Sequence, residues 1–469
     1  MVDLPIAFIT AIIPLIGGFC VMCISDERVA NIKHLSILTS CCTLCLALTT
    51  LFSFDFVVGK YVEKIDTLGI AQWGLTIAVD GLAAAFVPVI CLVCLLSRMW
   101  AFSTDTTMVK VRFAMLFFFE TFAILAFYVT GIFLLFIFME AATIPVYVIM
   151  STRTPPAHDA VLRFLVYTMA SALLVLVALI MIYLETHTSD IYEIYGVGVK
   201  SHAAFWLLSL GIAIKMPVWP FYNWLPVVHV KSHTTCSVIL AAITLKFASL
   251  LIVRFVEPLF LSELTTNSVI VSCASIVSII CALAQLMFQD DIKRMFAYFS
   301  IIHLNVYLLI ILSGLGRGYF IFAIIHHSIT MAALFFAADV LKRSCGTRLI
   351  SELKNMGAIP PGTRGIMMAA FLLLISVPFS CGFVCDVISV YAAWHMSVIH
   401  AVAVVASVLI SSVYAIYVYH TCFGLRVVQP QHSKSFCHDI GIARKSVMIS
   451  LAAVIFLLGI WPDLVLRMF

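Results

Sequence analysis

Charge is what this chain has least of. Only 11% of its 469 residues are Asp, Glu, Lys or Arg, against 63% hydrophobic. With a mean hydropathy of +1.14, that shortage excludes a soluble globular protein. The formal net charge of +4 is scattered through short loops with no basic block, which argues against nucleic-acid binding. Runs of about 20 apolar residues exclude a transmembrane barrel, whose strands are short and alternating. The 15 cysteines lie mostly inside apolar runs, including the CxxC pairs Cys20/Cys23, Cys42/Cys45 and Cys91/Cys94, and are expected to hold no zinc or iron–sulfur cluster. The cluster Cys41, Cys42 and Cys45 reads as small apolar packing. There is no Walker motif, no dinucleotide glycine loop and no CxxCH haem site. The chain is therefore expected to bind no nucleotide and carry no electrons, and its energy comes from a gradient or a partner. No basic leader precedes the first run, PIAFITAIIPLIGGFCVMCI, which is long enough to span a bilayer.

Roughly fourteen apolar runs approach span length: 3–23, 35–55, 78–98, 112–130, 132–151, 161–184, 203–222, 233–255, 267–288, 294–313, 316–338, 365–391, 396–421 and 446–466. Basic residues test this count. Arg28, Lys33, Lys110, Arg112, Arg153, Lys231, Lys293, Arg294, Lys342, Arg343, Arg348, Lys354, Arg364, Arg426, Lys434, Arg444 and Lys445 all follow odd-numbered runs. Even-numbered connections hold few: Lys60, Lys64, Lys200 and Arg317, with Arg254 at a run's edge. That bias places odd connections on the cytoplasmic or matrix side, and both termini on the other. The first three runs read as scaffold, and Asp80-Gly81 as the start of the third helix.

Two runs are broken, at Lys215-Met216-Pro217 and at Val377-Pro378. Proline removes a backbone donor and clashes with the preceding turn, and in a membrane the freed carbonyls need protein or water. The breaks lie five runs apart, as an internal five-helix repeat would place them.

Charges inside such runs are costly and mark ion paths by default. Glu140 lies midway along GIFLLFIFMEAATIPVYVIM. It reads as a buried functional carboxylate or as one reaching the interface from a helix end. Lys215 precedes the first break, and Lys246 sits well inside SVILAAITLKFASLLIV. Each reads as a proton-relay lysine or as one that snorkels. His229, His303, His326 and His327 are relay or packed polar residues. His326 and His327 are neighbours about 100° apart on a helix, which argues against a shared seam. Asp386, beyond Pro378, reads as a terminal carboxylate or a structural one. Arg163, Ser171, Thr244, Tyr298 and Ser300 could orient water.

KMPVWPFYNWLPVVHV from Lys215, SVILAAITLK to Lys246, LLFIFMEAATIPVY around Glu140 and AQLMFQDDIKRMFAYFSIIHLN across 284–305 resemble the antiporter-like subunits of respiratory complex I. IIHHSITMAALFFAADVLKR and SSVYAIYVYHTCFG extend the likeness over nearly the whole chain. The resemblance implies an all-α integral membrane fold of about 14 transmembrane helices, with helices 7 and 12 discontinuous. It implies N-terminal scaffold helices over 1–110, two inverted five-helix repeats over 111–258 and 259–424, and a C-terminal helix over 425–469. It pairs Glu140 with Lys215, makes Lys246 the central lysine, and assigns His303 and His327 to the connecting histidines. Asp386 then stands where the family usually has Glu, and His326 is additional. His229, Arg163 and Ser300 are supporting polar residues.

The implied function is proton translocation within an NADH:quinone oxidoreductase. NAD, FMN, iron–sulfur clusters and ubiquinone belong to partner subunits, and this chain holds no cofactor and no metal. The implied partners are the ND5-like and ND2-like siblings and phospholipid such as cardiolipin. The implied membrane is the mitochondrial inner membrane, or else a bacterial plasma membrane. The chain departs from the family in Val227-Val228-His229 and Lys231-Ser232-His233, where acidic residues are common, and in Arg163, which replaces a frequent Lys. Rival readings are a Mrp-type cation/proton antiporter subunit, a membrane-bound hydrogenase subunit, and a spacer without transport.

Overall fold

The computed structural model describes residues 6–54, 60–64, 76–104, 108–152, 157–356, 359–424 and 441–469. The loop charges Arg153, Arg426 and Lys434 lie outside them. Twelve helices among the described residues are long and apolar enough to cross a membrane. Shorter apolar helices, His202–Lys215, Pro361–Leu374 and Cys381–Met396, stand at the two proline breaks. The fold is an all-helical, multi-spanning bundle. Its main departure is an antiparallel strand pair, Lys60–Lys64 with Thr76–Asp80, the second strand taking in residues 78–80, where the third apolar run begins.

The chain divides into two compact units. The first comprises Met1–Met216, Ile243–Ser268 and Val465–Phe469, and the second Pro217–Ala242 and Val269–Leu464. In the first unit, helix Gly81–Thr104 is buried along almost its whole length, as its all-round apolar sequence requires. Helix His158–Thr186 instead shows Leu162, Val166, Met169, Leu173, Val177, Ile180 and Leu184 to the outside at steps of three and four. Such an apolar stripe is unfavourable against water and suits lipid. In the second unit the buried centre is the pair Ile292–Leu312 and Arg317–Cys345. Helix Val398–Phe423 carries the outward stripe Val398, Val402, Val405, Leu409, Val413 and Ile416.

Several of the biased basic residues have local work. Lys33 Nζ donates to Phe102 O at 2.7 Å, Arg112 Nη2 to Thr152 O at 3.2 Å, and Lys293 Nζ to Ser232 O at 2.9 Å. Each acceptor lies at or near the C-terminal end of another helix, where carbonyls lack intrahelical partners and the helix dipole favours a cation. Asp80 starts its helix as the sequence predicts, its Oδ1 accepting from Ala83 N at 2.9 Å. Arg254 is not an edge residue. It is buried and grips Asp80 through two N–H groups, Nη1 to Oδ2 at 3.0 Å and Nη2 to Oδ1 at 3.1 Å, while also donating to Phe127 O.

Candidate functional site

In the first unit the site is built by three helices. Helix His202–Lys215 begins at Ser201, whose side chain accepts from Ala204 N. It packs on His158–Thr186, where Ser171 Oγ donates to Gly211 O at 2.7 Å. A Cβ at Gly211 would stand 2.7 Å from Val175 Cγ2, so this close approach needs glycine. The helix stops at Lys215, because Pro217 cannot continue it, and Lys215 therefore occupies the last turn, where the helix dipole favours a cation. The third helix is bent. Ile132–Ala141 gives way to Thr143–Ser151 at Ala142, since Pro145 has no N–H to offer the carbonyl of Ala141.

Glu140, beside that bend, meets Lys215. Nζ donates to Oε1 at 2.6 Å. The two side chains are unequally enclosed, with Lys215 2% exposed and Glu140 21%. The carboxylate thus keeps some access while its lysine has almost none. Lys246 is wholly buried. It sits in helix Thr234–Leu259 between two π-helical stretches, 240–244 and 252–256. Such stretches are rare and concentrate at functional sites, and no sequence pattern announces them. Arg163 is exposed on His158–Thr186 and has no bond to Glu140 or Lys215 among the described residues.

In the second unit, His303, His326 and His327 are all buried, on the two central helices. Ser300 Oγ and His327 Nε2 lie 3.1 Å apart, and the His303 and His327 rings are 6.4 Å apart edge to face. Sequence reasoning missed the residue that joins this group. Tyr307 stacks on His303 at 6.0 Å, lies 6.4 Å from His327, and brings Oη to 3.0 Å from His326 Nδ1. His326 and His327 diverge from their helix, yet a tyrosine ring fills the wedge between them, so both join one polar cluster. The signal was present in the sequence, because Tyr307 follows His303 by four residues and so shares its helix face.

The second break borders this cluster. Between Leu374 and Cys381 the backbone takes left-handed turns at Ser376 (φ 56°) and Phe379 (φ 68°). Each costs a non-glycine residue about 1–3 kcal/mol, and such strain gathers at functional positions. A Cβ at Gly382 would stand 2.7 Å from Ser376 Oγ and 3.0 Å from His326 Nε2, so His326 reaches the start of helix Cys381–Met396 only because residue 382 has no side chain. Asp386, one turn further on and half-buried, is hydrogen-bonded to Ser376. His229 is buried at the end of Trp224–Lys231, stacked on Phe335 at 4.4 Å. Among the described residues, no group of three or more His, Cys, Asp or Glu could hold a metal ion.

Comparison with known proteins agrees with this architecture. The chain is 28% identical to NADH-quinone oxidoreductase subunit M of Rickettsia prowazekii (strain Madrid E), over 100% of this chain and 98% of that one. Its fold is similar to a chain of respiratory complex I from Thermus thermophilus with bound NADH (TM-score 0.84, 19% identity, covering 98% and 97% of the two chains). It is equally similar to a chain of the Mrp complex from Dietzia sp. DQ12-45-1b (TM-score 0.85, 18% identity, covering 99% and 95%). Residues 130–411, which span Glu140, both lysines, the histidine cluster and Asp386, match the family described as NADH:quinone oxidoreductase/Mrp antiporter, TM, and the chain belongs to that family.

Proposed function

We propose that this chain moves protons across its membrane, as one antiporter-like subunit of an assembly of the complex I/Mrp kind. The observation that carries this reading is the Glu140–Lys215 pair, a 2.6 Å contact between a partly accessible carboxylate and an enclosed lysine at the end of an interrupted helix. A charge arriving near Glu140 weakens or strengthens its attraction to Lys215, and so changes how tightly Lys215 holds its proton. Lys246 answers the change at Lys215. Protonation then alternates along Glu140, Lys215, Lys246, His303 or His327, and Asp386, with water carrying protons between them. His229, His326, Ser300 and Arg163 orient that water or tune its neighbours. The frame for this path is fourteen crossings, with inverted five-helix repeats over 111–258 and 259–424 between the scaffold 1–110 and the C-terminal 425–469.

The finer reading is a complex I subunit, beside ND5-like and ND2-like siblings and bound phospholipid such as cardiolipin, in a mitochondrial inner membrane or a bacterial plasma membrane. Electron transfer from NADH to ubiquinone, through FMN and iron–sulfur clusters, takes place in partner subunits. The motifs around Glu140, Lys215 and Lys246 and the end-to-end likeness to a subunit M support it. A second reading, a Mrp-type cation/proton antiporter subunit, is supported by fold agreement just as close.

The deciding experiment is mass spectrometry of the native assembly purified through this chain, paired with NADH:quinone activity and sodium/proton exchange in vesicles. Flavin- and iron–sulfur-bearing partners with activity establish the complex I reading. An assembly without them that exchanges sodium for protons establishes the antiporter reading. An assembly that moves no protons under either driving force refutes both.

A further inference from the structure

The N-terminal helices hold a second pair of buried charges that the proton path above does not use. Arg98, on helix Gly81–Thr104, and Glu120, on helix Val109–Tyr128, both have side chains with 0% exposure. Arg98 Nη1 donates to Glu120 Oε2 at 2.6 Å and to Ser40 Oγ at 2.7 Å. The guanidinium lies over the Phe117 ring, 3.9 Å from its centroid. These contacts leave much of the pair's bonding capacity unmet. Arg98 Nε and Nη2 and Glu120 Oε1 are buried without a hydrogen-bond partner, as are Ser97 Oγ and Thr121 Oγ1, each the chain neighbour of one of the two charges.

A guanidinium has five N–H donors and a carboxylate two acceptor oxygens. A buried ion pair holds its charges only when its remaining donors and acceptors are also satisfied. Lipid acyl chains offer no hydrogen bond, and both side chains are wholly enclosed. The unmet set contains both donors and acceptors, and a molecule that serves both at once is water, which typically makes about three hydrogen bonds when buried.

We propose that Arg98 and Glu120 form the core of an enclosed water-binding site in the N-terminal helices of the first unit, sharing no residue with the Glu140–Lys215 site. Water bridges Glu120 Oε1 to Arg98 Nε or Nη2. The site makes this part of the chain a hydrated charged centre instead of an inert apolar scaffold. It stands apart from the transport reading, because water occupancy does not depend on which gradient the assembly uses.

The test is a density map of the intact assembly, at a resolution that shows ordered water, for the wild type and for R98M/E120M. The variant replaces the pair by apolar side chains of similar length, a change that buried ion pairs often tolerate. The expected result is ordered water bridging Glu120 Oε1 to Arg98 Nε or Nη2 in the wild type, and its loss in the variant. A dry wild-type pocket overturns the proposal, as do waters that persist unchanged in R98M/E120M. If the variant does not assemble, the wild-type map decides alone.

Discussion

Removing either half of the Glu140–Lys215 pair should have unequal consequences. At 2.6 Å and an effective dielectric of about 20, the gross attraction is about 6 kcal/mol, and desolvation of the two ions takes back much of it. What remains when one partner is removed depends on the access of the other. In E140Q the ammonium of Lys215, 2% exposed, is left without its carboxylate, the situation that costs about 3–5 kcal/mol in buried pairs. In K215M the orphan is Glu140, 21% exposed, which water can reach, so the cost is smaller. The assays are the yield of the assembled complex, its thermal stability, and proton uptake by sealed vesicles per turnover. We expect E140Q to lower assembly and stability more than K215M, and both to abolish or strongly reduce proton uptake. The double variant E140Q/K215M should recover most of the assembly and none of the uptake. If K215M damages assembly more than E140Q, the reasoning from unequal access is refuted; if the double variant pumps as the wild type does, the pair is not on the proton path.

Tyr307→Phe removes the hydroxyl at 3.0 Å from His326 Nδ1 and leaves the ring among the histidines. Assembly should be normal and proton uptake slowed by up to about tenfold, the equivalent of one hydrogen bond worth about 0.5–1.5 kcal/mol; unchanged rates would remove Tyr307 from the path. Gly382→Ala puts a Cβ against Ser376 Oγ and His326 Nε2, and overpacking of this kind costs about 1–3 kcal/mol, read as a lower unfolding temperature of the assembled complex. Gly211→Ala meets Val175 Cγ2 and should both destabilise the assembly and reduce uptake, because it displaces the helix that carries Lys215. Arg254→Met leaves Asp80 without its two N–H donors and Phe127 O without its own. Loss of assembled complex is expected there, with D80N milder because Asp80 is partly exposed.

Much of this architecture was legible because the bilayer imposes a coarse rule. Each crossing needs about 20 apolar residues, and every charge inside one is conspicuous. Lys215-Met216-Pro217 and Val377-Pro378 mark the two breaks by the same logic, since proline cannot sit silently in a helix. The meeting of Glu140 with Lys215, 75 residues apart, came from resemblance, as no local pattern encodes it. What stayed hidden has identifiable causes. Ending the third run at residue 98 makes Arg98 an edge residue, but the helix continues to Thr104, which buries it beside Glu120. The same kind of boundary error put Arg254 at an edge. The strand pair was missed because Lys60, Glu63 and Lys64 look like loop. The π-helical stretches around Lys246 are a backbone state that apolar residues such as LAAIT and IVRFV do not announce. The resemblance makes His326 additional, and the divergence of neighbouring helical positions argues against a seam shared with His327; that argument holds for the two rings and overlooks Tyr307, which packs between them.

The central claim is that buried charges in this chain carry protons, and Lys246 tests it most directly. It is wholly buried, so its substitution alters no surface a partner could recognise. The measurement is proton uptake by sealed vesicles holding the intact assembly, compared between wild type and Lys246→Met at equal amounts of assembled complex. The account predicts that K246M assembles and loses coupled uptake. Uptake equal to that of the wild type would contradict it.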